Sequence, residues 1–209
     1  MQHLISLNPG YPAGEYLVVI QPAEDLCEKI NTIKRAFAEK YEMPVYSYSN
    51  SNITLLRFSQ YEMMEDRIIR SLRSVAASNI SFKIELADFG SLPTHTIYIK
   101  VLNSPHIAHL VKELKQVQKL VKPDKDHKPH FITEPYVMVA AKLLPWQYEK
   151  GWLEYSNSHF TGSFITEQIL LLKRNKDQKK YQIVEKFRFS GQQLPSIKAR
   201  NKNLQLSLF

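Results

Sequence analysis

Asn52 and Thr54 stand two residues apart in "SNSNITLLRF", residues 49–58, whose apolar run reads as a β-strand. Residues i and i+2 of a strand project from one face, so an amide and a hydroxyl placed this way reach a single bound group together. Each can donate a hydrogen bond to a phosphate oxygen, but an amide does not exchange protons near neutral pH. The pair is suited to holding a polar group rather than to moving its protons.

Other chemistry finds little support. The seven histidines and the single cysteine, Cys27, show no metal-ligand spacing, so neither a metal nor a cofactor is expected. There is no glycine-rich phosphate loop and no serine in a nucleophile elbow. His106 and His109 are three apart on a helical pattern and lack a third ligand, which favours a solvated helix surface. Tyr46 and Tyr48, just before the Asn52 strand, suit either stacking on bases or ordinary packing. His95 in "THTIYI" starts a strand and is not assigned chemistry.

The elements that must carry these side chains repeat along the chain. "YLVVIQP" reads as a buried strand, followed by Leu26, Ile30, Ile33 and Phe37 on one helical face. "ITLLRF" is the next strand. Ser59 and Glu62 then form a capping box before a helix carrying Met64, Ile68, Leu72 and Val75. "ISFKIELADFG" alternates Phe82, Ile84 and Leu86 as a half-buried strand does. After "SLP" the order recurs. "HTIYIKV" is a strand, and Ser104 and Pro105 open a helix with Ile107, Leu110, Leu114, Val117 and Val121 on one face. A charged, proline-containing loop leads to the strand "YVMVAA", a helix around "PWQYEKGWLEY", and two strands, "SFITEQILLLKR" and "KYQIVEKFRF". Tyr16 to Asn52 is 36 residues and Ile97 to Tyr136 is 39, so the middle strands correspond and the pattern reads as an internal duplication.

The duplicated order, together with "IIRSLRSVAAS", "FGSLPTHTIYI", "KPHFITEP" and "QYEKGW", resembles the two-histidine phosphoesterase superfamily, which includes bacterial 2′-5′ RNA ligase-like proteins. The resemblance covers about residues 16–189. It implies an α+β fold of duplicated βαβαβ units, with two mostly antiparallel sheets around a central cleft and helices outside. It also implies a His-x-Thr-x motif in each half, one histidine acting as base and the other as acid on a 2′,3′-cyclic or 2′-5′ phosphodiester. On that pattern the motif positions are Asn52 and Thr54, then Tyr136 and Met138, so both histidines are replaced. A tyrosine, with an ordinary pKa of about 10, is a possible acid and a poor base, and a thioether is only a weak acceptor. Each lost proton-transfer group costs about 10²–10⁴ in rate, so family catalysis is expected to be impaired. "PHFIT" does not restore the motif, because His130 and Thr133 are three apart and Pro135 interrupts a ladder. His130 is expected in a loop at the cleft edge, where it can contact substrate. Asn52, Thr54, Tyr136 and His130 are thus the expected binding residues.

The 209 residues are 44% hydrophobic, enough for one unit over 1–190, with halves of about 16–92 and 93–189 and a basic tail over 191–209. A net charge of +8 favours anionic partners such as RNA, DNA or nucleotides. A lone cysteine and the lack of a signal-peptide run or membrane-length segment lead to the expectation of a cytoplasmic protein. Within the tail, Gln205, Leu206, Ser207, Leu208 and Phe209 resemble the short peptide by which many bacterial replication and repair proteins dock on the DNA sliding clamp. The alternative to a phosphodiester-binding cleft is therefore a noncatalytic adaptor held on that clamp.

Overall fold

Nine strands and four α-helices are defined in the computed structural model, which describes residues 10–43, 51–102, 105–178 and 180–192. In chain order they are β1 (Ala13–Ile20), α1 (Glu24–Lys40), β2 (Ile53–Tyr61), α2 (Glu65–Ser78), β3 (Phe82–Leu92), β4 (Thr96–Val101), α3 (Pro105–Leu114), β5 (His130–Phe131), β6 (Tyr136–Ala141), α4 (Pro145–Tyr155), β7 (Thr161–Thr166), β8 (Gln168–Asn175) and β9 (Gln182–Arg188). All strand pairs among them are antiparallel. They form a five-stranded sheet in the order β5-β2-β1-β8-β9 and a four-stranded sheet in the order β6-β4-β3-β7. Two antiparallel sheets with helices packed on them make the α+β class that the repeating pattern implies.

The sheets do not follow the two sequence halves. β3 joins the four-stranded sheet, while β5, β8 and β9 return to the five-stranded one. "SFITEQILLLKR" is accordingly two strands and not one. Its first part, β7, pairs with β3, and its second part, β8, pairs with β1, with the change of sheet at Glu167. The Thr166 hydroxyl donates to the Gln168 carbonyl at 3.1 Å, and Phe189 N donates to the Glu167 carbonyl at 2.8 Å, so the crossing point is hydrogen-bonded.

Helix faces come out largely as periodicity requires. Leu26, Ile30 and Phe37 of α1 are buried, as are Ile68, Leu72 and Val75 of α2. Ile107, Leu110, Leu114, Val117 and Val121 are all buried, although the helix tightens into a 3-10 turn over Lys115–Val117. The Ser59 cap is not made: Ser59 lies inside β2, a 3-10 turn over Glu62–Met64 follows, and α2 begins without a side-chain cap. His130 is also corrected, since it lies in the short strand β5 and not in a loop.

α1 packs against β6 and β7, α4 against β4, and α2 against β8 and β9. α1 and α4 lie close: a Cβ added at Gly151 of α4 would meet the Phe37 ring of α1 at 2.8 Å. Where the sheets adjoin, β2 and β6 come within 8 Å of each other, Cα to Cα. The two strands that carry the paired positions thus meet, as the duplication reading requires.

Candidate functional site

β2 alternates about the first pair. Ile53 and Leu55 are buried while Asn52 and Thr54 are half-buried, so the latter two share the outer face. Ser51 anchors the approach to the strand by donating to Asn31 Oδ1 of α1 at 2.7 Å. Asn52 Oδ1 is buried and has no hydrogen-bond partner among the described residues. A buried amide oxygen without a partner costs free energy unless a ligand or water supplies a donor.

β6 repeats the arrangement, with Val137 and Val139 buried and Tyr136 and Met138 half-buried between them. Met138 pairs with Tyr98 and Tyr136 with Lys100 across the β4–β6 ladder, so these four side chains share one face. The Tyr136 ring lies 4.5 Å from that of Tyr98, centroid to centroid, tilted by 30°. Gly90 makes room for Tyr98, since a Cβ there would stand 2.5 Å from its ring. Tyr98, Lys100, Ile107, Thr133, Glu134 and Tyr136 line a pocket of about 600 Å³. Asn52 and Thr54 are not part of that lining.

The segment before β6 joins the two pairs. Ile132 N donates to the Leu55 carbonyl at 2.9 Å, so the chain passes beside β2 four residues before Tyr136. His130 is exposed and stands opposite Arg57 in the β2–β5 ladder. His95 lies exposed in the turn before β4. His106 stacks on Phe82 at 5.3 Å, and His109 faces Glu113 at 3.6 Å. No group of three or more potential metal ligands occurs among the described residues. Tyr46 and Tyr48, and the tail positions Gln205, Leu206, Leu208 and Phe209, lie outside the described residues.

Sequence reasoning did not single out a charged cluster on the same sheet. Glu15 of β1, only 8% exposed, meets Arg57 Nε of β2 at 3.0 Å and Arg174 of β8 at 2.5 Å. Arg174 lies over the Tyr181 ring, 4.7 Å from its centroid. Burial, followed by the adjacent Glu15 carboxylate, pushes the Tyr181 hydroxyl up to about 12. Only strand pairing brings these residues together.

A model of the 2′-5′ RNA ligase superfamily matches residues 22–178, about three quarters of the chain. The chain belongs to that superfamily. A search of curated proteins finds no match. Among solved structures, Escherichia coli LigT complexed with 3′-AMP is similar at 11% identity and a TM-score of 0.60, over 85% of this chain and 99% of that one. TT0787 of Thermus thermophilus is similar at 14% identity and a TM-score of 0.57, over 86% of this chain and all of that one. LigT complexed with NADP⁺ aligns with a TM-score of 0.51 at 12% identity, over 85% and 99% of the two chains. At these identities the likeness is one of fold. Within that fold, the strands β2 and β6, from the two different sheets, come within 8 Å of each other, Cα to Cα. No helix among the described residues is long and apolar enough to cross a membrane.

Proposed function

We propose that this superfamily member binds RNA ends or nucleotides carrying a 2′,3′-cyclic or 2′-5′ phosphodiester, and that its catalysis is impaired. The observation that supports the reading is the approach of β2 to β6 within 8 Å, Cα to Cα, the strands to which the resemblance assigns Asn52 and Tyr136 as the acid and base positions. Thr54 keeps the hydroxyl of the pattern and can donate to a phosphate oxygen. Asn52 offers the phosphate its amide N–H groups and keeps an unpaired acceptor, Oδ1, for a donor such as a ribose hydroxyl. Tyr136 and the Tyr98 ring beside it supply an aromatic surface for a base, with Lys100 at its rim. The 3′-AMP complex of LigT is consistent with a nucleotide as the ligand.

Titration of 3′-AMP and of a 2′,3′-cyclic nucleotide into the wild type and into Asn52→Ala/Thr54→Ala tests the reading. Saturable binding that the double variant loses is expected. Equal binding by both proteins would overturn the assignment of these positions.

A second reading is favoured by the match of Gln205–Phe209 to a sliding-clamp docking peptide: a noncatalytic adaptor on clamp-bound DNA. The two are compatible, because a docked tail can deliver the β2–β6 site to nucleic acid.

A further inference from the structure

The cluster of Glu15, Arg57 and Arg174 has an unequal charge balance. Two guanidiniums converge on one carboxylate, and among the described residues Glu15 is the acidic group recorded against either of them. One positive charge is left over, and Arg174 Nε is buried without a hydrogen-bond partner among those residues. Glu15 fixes both arginines in place, which removes much of the conformational entropy a ligand would otherwise have to overcome. Arg57 uses Nε for Glu15 and keeps about half its side chain exposed. A guanidinium held this way, with partner charge in deficit, suits a phosphate.

Its position relative to Thr54 follows from the ladder. Val19 faces Thr54 and Leu17 faces Arg57, while Glu15, Leu17 and Val19 alternate onto one side of β1. Leu17, Val19, Leu170, Leu172 and Tyr181 form a small apolar cluster separate from the main core, so this is the sheet face turned away from α2. A bulge at Leu55 keeps Arg57 on that face although it is three residues beyond Thr54. At about 3.3 Å per residue the two backbone positions are roughly 10 Å apart. His130, opposite Arg57, adds a ring at the same edge.

We infer that the Arg57–Glu15–Arg174 cluster is a second phosphate subsite, taking the phosphate that flanks the one held at Asn52 and Thr54 in single-stranded nucleic acid. The inference rests on the nucleotide reading of the β2–β6 site. It extends that reading to the substrate class: an oligonucleotide in preference to a mononucleotide. Arg57 supplies the exposed charge, Arg174 and Glu15 hold it, and Tyr181 walls the cluster.

The test uses the full chain, a labelled single-stranded hexaribonucleotide read by anisotropy, and 3′-AMP read by calorimetry. Wild type, Arg57→Gln and Arg57→Lys are compared, with thermal melts to establish that each variant is folded. Arg57→Gln is expected to weaken hexamer binding about tenfold and to lower the slope of log affinity against log salt by about 0.7, while 3′-AMP affinity is unchanged. Arg57→Lys, which keeps the charge without the fork, should retain most of the salt slope. Unchanged hexamer affinity and slope in a folded Arg57→Gln variant overturns the subsite alone, provided 3′-AMP still binds. Arg57-dependent hexamer binding without 3′-AMP binding supports the subsite and removes the Asn52/Thr54 reading. Failure of the wild type to bind either ligand removes both.

Discussion

On the proposed reading, Asn52 and Tyr136 stand where the family pattern has its acid and base, and neither side chain readily exchanges protons near neutral pH. The unaltered protein is therefore expected to show negligible turnover of 2′,3′-cyclic nucleotides and no joining of RNA ends. Asn52→His, Tyr136→His and Met138→Thr together should raise hydrolysis measurably in a product-release assay. Robust turnover by the unaltered chain that survives changes at Asn52 and Tyr136 would place the chemistry elsewhere. Gly90 offers a subtler probe, because a methyl group there stands 2.5 Å from the Tyr98 ring. Gly90→Ala should turn Tyr98 away from Tyr136, at a cost of about 1 kcal/mol of overpacking strain. Nucleotide affinity should fall with it, read by calorimetry beside a denaturant curve. If affinity holds while stability drops, the Tyr98–Tyr136 pair does not contact the ligand.

The α1–α4 contact shows how helices fix the strands beneath them. The Tyr41 hydroxyl after α1 and Lys40 Nζ both donate to Glu154 of α4, at 2.5 and 2.6 Å. Those bonds, Lys40's first, hold the Glu154 carboxyl below the usual carboxylate range. Glu154→Gln should cost about 1 kcal/mol near pH 7, mostly through the Tyr41 bond, since the exposed Lys40 pair contributes little. A carboxyl whose folded pKa is depressed stabilises the fold above its unfolded value and loses that contribution as pH falls through its folded value. Urea unfolding should therefore separate variant from wild type at pH 7 and bring them together as the pH falls through the depressed folded value of Glu154. A constant gap across that range would show that the charge is irrelevant. α4 itself, Pro145–Tyr155, coincides with "PWQYEKGWLEY", because a proline start and local periodicity define it without help from distant residues. The break at Glu167 was illegible because a continuous apolar run looks the same whether it stays in one sheet or crosses to another. Ser59 shows the same limit, since a good capping sequence was overridden by pairing of Ser59 with Glu15 in the ladder. The paired positions of β2 and β6 could be read from spacing of i and i+2, whereas the Glu15–Arg174 bond joins residues 159 apart and has no local signature.

A net charge of +8 on a 2′-5′ RNA ligase superfamily fold suits a protein that finds an anionic partner such as nucleic acid by charge. Residues 205–209 bear on how it is brought there. A clamp-docking peptide needs a glutamine amide for polar contacts and apolar side chains for a pocket, and Gln205, Leu206, Leu208 and Phe209 supply these types in that order. The competing outcome is that the apolar residues pack on their own domain, where burial would contribute about 1.5–3 kcal/mol for each large side chain. The two outcomes differ in what truncation does. If the segment docks, titration of the cognate clamp should give saturable binding by the full chain and none by a chain ending at residue 204, with identical thermal melts. If it packs at home, truncation should lower the melting temperature by several degrees and leave the clamp titration unchanged. Docking should also survive Asn52→Ala/Thr54→Ala, because the peptide and the phosphate site bind different partners. Equal clamp binding by the full and shortened chains, or binding by neither, would dismiss the adaptor reading and leave the cleft to find its nucleic acid by charge alone.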